Sequence, residues 1–256
     1  MDEKKKEKKV NYVFKRVEKK YLLNEFQYRL FIARIKEHME LDEFGLHTIC
    51  NIYYDTDTYD LIRVSLEKPK YKEKFRVRSY GVPKAEDKVF LEIKKKYDGI
   101  VYKRRISSKL EAAMEYLENG TPLKKQSQIS KEIDYFFDFY DLSPKVYLAY
   151  DREAYFGKED SEIRLTVDRN IRSRDYDLDL SLGDHGEKLL PEGSYLIEIK
   201  VAGAYPMWLT KILSDLKIYS TSFSKYGNVY KNMLLKSKKE KTNEDVKRRE
   251  QICSVV

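Results

Sequence analysis

A chain of 256 residues with 41% hydrophobic and 13% aromatic side chains can bury a sizeable core, which excludes a disordered polypeptide and a disulfide-stapled miniprotein. Charged residues reach 37%, and 51 Lys and Arg against 43 Asp and Glu leave a net charge of +8, so an acidic partner is expected. Cys50, Cys253, His38, His47 and His185 lack zinc or disulfide spacing, no run is apolar enough for a membrane span and the start has no signal-peptide core; a soluble cytoplasmic protein working with Lys, Arg, Glu, Asp and Tyr is expected.

Residues 1–11 read as a charged N-terminal tail. The first strand sets Val17, Tyr21 and Leu23 against Arg16, Glu18 and Lys20, because successive strand side chains point to opposite faces. Asn24 is placed to cap a helix running to Met39, with Phe26, Leu30, Ala33 and Ile35 on one stripe, and a second helical period spans 57–67. Alternation returns with Phe75 and Val77 against Lys74, Arg76 and Arg78, and with Val89, Leu91 and Ile93 against Glu92, Lys94 and Lys96. Ser108 and Glu111 have capping-box spacing ahead of Leu110, Met114 and Leu117, with Gly120 just past the end, and another helix is expected over 127–140. The strand Lys145–Phe156 carries Arg152; the next sets Ile163, Leu165 and Val167 against Glu162, Arg164, Thr166 and Asp168. Tyr195, Ile197, Ile199 and Val201 then oppose Glu198 and Lys200, helices are expected over 206–217 and 222–235, and 236–256 reads as a second charged tail. No linker or repeat divides 12–235, which is read as one domain.

An antiparallel sheet with its polar face in water is the ordinary explanation of any one of these strands. Here the polar parity is dominated by long cations and carboxylates, and a carboxylate precedes a lysine by two residues at Glu18 and Lys20, Glu92 and Lys94, and Glu198 and Lys200. The fold class expected is α+β: a closed antiparallel barrel of about eight strands, with a charged lumen and helices packed outside. Its inward cations outnumber its inward acids, which calls for a polyanion. Each desolvated charge in such a lumen costs several kcal/mol unless paired or hydrated.

The stretches 16–21 (Arg-Val-Glu-Lys-Lys-Tyr), 51–56 (Asn-Ile-Tyr-Tyr-Asp-Thr), 75–81 (Phe-Arg-Val-Arg-Ser-Tyr-Gly), 90–94 (Phe-Leu-Glu-Ile-Lys), 150–155 (Tyr-Asp-Arg-Glu-Ala-Tyr), 196–200 (Leu-Ile-Glu-Ile-Lys) and 222–227 (Ser-Phe-Ser-Lys-Tyr-Gly) resemble, in order, the VTC domain. This is the polyphosphate polymerase domain of the vacuolar transporter chaperone type, within the triphosphate tunnel metalloenzyme superfamily. The resemblance covers about 12–232 and implies a tunnel that binds triphosphate or polyphosphate with Mn²⁺ or Mg²⁺. It implies phosphate contacts from Lys20, Arg76, Arg78, Lys94, Lys103, Arg152, Arg164 and Lys225, and a metal ligand in Glu198; Lys200 joins the phosphate set as the partner of Glu198. Of these, Lys20, Arg76, Arg78, Lys94, Arg152 and Arg164 are the expected catalytic set. A one-residue slip in 102–105 would turn Arg104 inward in place of Lys103.

The activity this implies is transfer of the ATP γ-phosphoryl group to a growing polyphosphate chain. The triphosphatase branch opens with Glu-x-Glu-x-Lys, whereas this chain has Arg16 at the first position, as in the VTC branch. Two alternatives stay open: hydrolysis of triphosphate or polyphosphate on the same barrel, and a non-catalytic polyphosphate-binding module. ATP and polyphosphate are the expected partners. Nucleic acid is not expected, since no recognition motif or basic helix is evident, and any membrane association is left to a separate membrane protein.

Overall fold

The computed structural model describes residues 16–124 and 126–235, so the expected tails at 1–11 and 236–256 lie outside the described residues. In chain order the elements are β1 (Arg16–Asn24), α1 (Glu25–Ile35), β2 (Met39–Leu41), β3 (His47–Asp55), α2 (Asp60–Leu66), β4 (Tyr71–Tyr80), β5 (Lys88–Tyr97) and β6 (Ile100–Lys109). They continue with α3 (Leu110–Asn119), α4 (Gln128–Phe139), β7 (Ser143–Gly157), β8 (Arg164–Arg174), β9 (Glu187–Lys188), β10 (Ser194–Ala202), α5 (Met207–Asp215) and β11 (Ser220–Thr221). A last helix, α6, covers 225–235.

All the strands join one antiparallel sheet in the order β11-β1-β10-β8-β7-β3-β4-β5-β6, with β2 added on β7 and β9 on β8. Eight of them are long, as the alternation predicts. The ring is not closed by hydrogen bonds: β6 and β11 are the two ends of the order. β6 runs straight into α3 and β11 contributes only two residues, so neither edge finds a partner across the seam.

The alternation sorts side chains as expected on the outer face. Phe75, Val77, Leu91 and Ile93 pack under α3 and α4, while Tyr21, Leu23, Leu165, Val167, Ile197 and Ile199 pack under α1 and α5. The inner face is divided. Part of it is apolar, with Ile49, Tyr53, Leu148 and Leu196 covered by Ile62 of α2 and by Tyr226 and Val229 of α6. The buried carboxylate of Asp55 fixes this cover: it accepts hydrogen bonds from the backbone N–H groups of Leu61 and Ile62 at the start of α2 and from the Tyr226 hydroxyl at 2.8 Å. Asp55 therefore caps α2, whose own N-cap, Tyr59, contributes no side-chain bond. The rest of the inner face is polar and forms the site.

Two local expectations are corrected. The first helix ends at Ile35 and not Met39, because Met39–Leu41 is drawn into the sheet against Tyr155–Gly157. The Ser108 and Glu111 capping box does not form: Ser108 remains in β6 opposite Val89, and Lys109 is the N-cap without a side-chain bond. Asn24 does cap α1, with Gln27 completing a capping box, and Gly120 ends α3 at φ 69°, the left-handed conformation that favours glycine.

Candidate functional site

Cross-strand register assembles the inner face row by row. On one wall, Glu18, Lys200 and Arg164 lie opposite one another on β1, β10 and β8, and the next row holds Lys20, Glu198 and Thr166. On the other wall, Tyr53, Arg76, Glu92 and Arg105 form a row across β3 to β6, followed by Lys74, Lys94 and Lys103. Arg78 and Asn51 form a neighbouring row at the buried end, and Arg152 pairs with Asp168 across β7 and β8. Register also answers the slip at 102–105: Lys103 lies opposite Lys94 on the inner face, while Arg104 lies opposite Ile93 on the outer face.

Each carboxylate here is held by cations. Asp168 is fully buried; it accepts two hydrogen bonds from the Arg152 guanidinium at 2.6 and 2.8 Å and one from the Lys225 ammonium at 2.5 Å. Glu92, 1% exposed, contacts Arg76 at 2.7 Å and Lys103 at 2.6 Å, with Arg78 at 3.8 Å. Burial alone would raise the Glu92 carboxyl, but Arg76, Arg78 and Lys103 outweigh it and hold it at about 2. Burial likewise opposes ionisation of Asp168 and Glu198, and their neighbouring cations still hold both below the usual carboxylate range. Glu198 lies between Lys200, which it contacts directly, and Lys20 at 3.8 Å.

The cations are not all so compensated. Lys74 meets the Ser224 hydroxyl at 3.5 Å and lies over the Tyr226 ring, 5.8 Å from its centroid, with no carboxylate partner among the described residues, and burial lowers its ammonium to about 8. Lys94 has no carboxylate partner among the described residues, and Lys20, whose carboxylate contact is Glu198 at 3.8 Å, donates to the Phe223 carbonyl at 2.9 Å while burial lowers its pKa. The 222–225 segment thus reaches into the polar half of the tunnel and brings Lys225 beside Asp168. Arg164 stands apart: it is exposed at the start of β8 and donates to the Ser161 carbonyl, at the rim with Lys200.

Three residues outside the expected phosphate set reach the cations. The Tyr53 hydroxyl accepts from Arg76 at 2.9 Å, the Tyr150 hydroxyl from Arg78 at 3.2 Å and the Asn51 side-chain oxygen from Arg78 at 2.9 Å. Arg152 and Lys225 also lie over the Tyr150 ring, at 5.0 and 4.4 Å from its centroid. Tyr54, by contrast, points into the outer core. A signal for Asn51 exists in the sequence: it is a lone amide in the otherwise apolar run Ile49–Tyr54, where an unpaired polar group would be costly.

Among the described residues no three His, Cys, Asp or Glu side chains gather into a metal cage. Two carboxylates nevertheless converge on one cationic position, since the Lys200 ammonium contacts Glu198 and lies 3.9 Å from Glu18. Beside them Thr166 Oγ1, opposite Glu198, is buried without a hydrogen-bond partner among the described residues. One or two carboxylates completed by water and phosphate oxygens is the donor set a hard divalent ion such as Mg²⁺ or Mn²⁺ takes, so these residues fit the metal expected of a tunnel metalloenzyme.

Fold and site define a tunnel protein whose inner face is built for a polyanion, the class of the triphosphate tunnel enzymes. The chain belongs to the VTC domain family, whose sequence model matches residues 15–234. A search of curated proteins returned no match. Among solved structures, a Bacillus halodurans protein described as a candidate adenylate cyclase shares 16% identity over 81% of this chain and 92% of its own, with a TM-score of 0.51. A candidate adenylyl cyclase of Hippeastrum, described as having a dominant triphosphatase activity, shares 18% identity over 82% of this chain and 93% of its own, with a TM-score of 0.49. The first likeness establishes the tunnel fold; the activities named belong to those proteins.

Proposed function

We propose that this protein is an ATP-dependent polyphosphate polymerase. The observation that carries the reading is the state of the tunnel carboxylates. Asp168 and Glu92 are each saturated by cations and held ionised well below neutral pH, so they are poor bases for activating a water. A hydrolase must position and activate a water, which usually takes such a carboxylate or a second metal. A polymerase does not, because the terminal phosphate oxygen of the growing chain is already an anion.

In this reading that oxygen attacks the γ-phosphorus of ATP in line, the bond from the γ-phosphorus to the β,γ-bridging oxygen breaks, and ADP leaves as the chain gains one phosphate. Arg76, Arg78, Lys94, Lys103 and Lys225 neutralise the approach of two polyanions and the charge spread over the equatorial oxygens. Arg152, fixed by Asp168, and Lys20 orient the donor, while Lys200 and Arg164 receive phosphates at the rim. Glu198, with Glu18 beside it, would hold the divalent ion, which when bound supplies further charge neutralisation on the phosphate oxygens.

Purified protein incubated with ATP and Mn²⁺, its products resolved on a gel, tests the reading. A ladder of long chains is expected. Free phosphate alone would establish the hydrolase instead, and tight salt-sensitive binding without turnover a binding module. Glu198→Gln is expected to lower turnover at least a hundredfold while triphosphate binding measured in chelator survives. Unchanged turnover would remove Glu198 from the metal site.

A further inference from the structure

The cationic face of β4, β5 and β6 extends past the site described above. Two residues beyond Lys74 and Lys94, about 7 Å along the strands, Lys72 lies directly opposite Lys96. Like charges set directly opposite on a sheet face destabilise it. Glu92 is the only carboxylate on this face of the three strands, and Arg76, Arg78 and Lys103 already engage it. Glu73, next to Lys72 in sequence, points to the opposite face, where it accepts hydrogen bonds from Tyr71 and Tyr140. Lys96 makes no ion pair among the described residues, and Lys72 reaches only the Ser65 carbonyl, at 3.2 Å. Burial, with Lys96 and Lys68 close by, lowers the Lys72 ammonium below the usual lysine range.

An opposed pair of half-buried ammonium groups without a carboxylate is costly in the free protein, and an anion is what relieves it. The position of the pair selects the kind of anion. The row of Lys72 is four residues from the row of Arg76, about 13 Å along the strand. Three linked phosphates seated on Arg76 and Arg78 are separated from it by the row of Lys74 and Lys94. A longer chain of the same repeating anion, leaving the tunnel along β4 and β5, reaches it.

We infer that Lys72 and Lys96 form a second anion subsite, outside the transfer site, that holds a distal stretch of an inorganic polyphosphate chain. The inference rests on the phosphate-tunnel reading and adds chain-length selectivity to it: the protein grips long polyphosphate more tightly than triphosphate.

The test is titration calorimetry of the full chain and of a Lys72→Ala, Lys96→Ala double variant. The ligands are tripolyphosphate, long-chain polyphosphate and a single-stranded RNA of matching charge. For the variant, long-chain affinity is expected to fall about tenfold, roughly 1.4 kcal/mol, and the salt dependence of that binding to become shallower. Tripolyphosphate affinity is expected to stay within about twofold, since the Arg76 and Arg78 rows that seat it lie four and six residues along β4 from Lys72. A melting temperature no lower than that of the unsubstituted chain is expected, since relieving an opposed like-charge pair removes strain. Equal losses for both phosphate ligands, no loss for either, or a loss confined to RNA would overturn the subsite. Failure of the unsubstituted chain to bind either phosphate ligand would instead overturn the tunnel reading on which it rests.

Discussion

Asp168 of β8 and Lys225 at the start of α6, 57 positions apart in sequence, meet at 2.5 Å inside the tunnel, with Arg152 closing on the same carboxylate from β7. The contact performs two tasks. It fixes two tunnel cations in place, and it ties the last helix to the sheet. Burial opposes a charged Asp168, but Lys225 and Arg152 together overcome that penalty and keep the carboxylate ionised.

Removing the shared anion should therefore be worse than removing one of its cations. Asp168→Asn leaves Arg152 and Lys225 without their buried partner and is expected to cost about 3 kcal/mol, as breaking a buried pair does. Lys225→Met leaves Asp168 neutralised by Arg152 and is expected to cost about 1 kcal/mol. Urea unfolding at neutral pH measures both, and the reverse order would show that Lys225, not Asp168, organises the cluster.

Glu92 makes the acid stability of the protein predictable. Its carboxyl is depressed from the ordinary 4.5 to about 2. A depressed carboxyl contributes stability that is fully present above the unfolded value and is lost as pH falls toward the folded one. The window is therefore roughly pH 4.5 down to pH 2, and the contribution is on the order of 3 kcal/mol at neutral pH. Glu92→Gln should unfold more easily at pH 7 and show a flatter pH dependence in that window. A curve parallel to that of the unsubstituted chain would mean that other carboxylates carry the acid transition.

The outer wall and the tunnel cations were legible because both follow from period two: Leu165 and Arg164, or Ile93 and Lys94, cannot share a face. The parity of Lys103 became certain only through pairing with Lys94, since Arg104 and Arg105 offer no apolar landmark in sequence. Tyr53, Tyr150 and Asn51 were hidden for a different reason. Their ring or amide packs like any core residue, and only three-dimensional proximity brings their polar atoms to Arg76 and Arg78. The short strand β2 was masked by a helical stripe that continues past Ile35, and pairing with β7 decided the matter. The open seam is equally invisible, because edge pairing depends on strand length at both ends of the sheet.

The same hidden tyrosine gives the tunnel a titration near neutral pH. Burial would raise the Tyr150 phenol, but Arg78, Arg152 and Lys225 outweigh it and bring it to about 8. Lys74, lowered by burial to about 8, loses its charge over the same range. Both changes work against an anionic ligand as pH rises: the phenolate competes for the cations around it, and Lys74 stops being one. Tripolyphosphate affinity is therefore expected to fall between about pH 7 and 9, where ordinary lysines and tyrosines, near 10, stay silent. Ultraviolet titration of tyrosinate should show a phenol ionising near pH 8 that Tyr150→Phe abolishes. Lys74→Arg should keep that optical step while weakening the fall in affinity. If Tyr150→Phe leaves the optical step near pH 8 in place, the cations around Tyr150 do not govern its proton, and the pH response of the tunnel must be assigned to its buried lysines, Lys74 first among them.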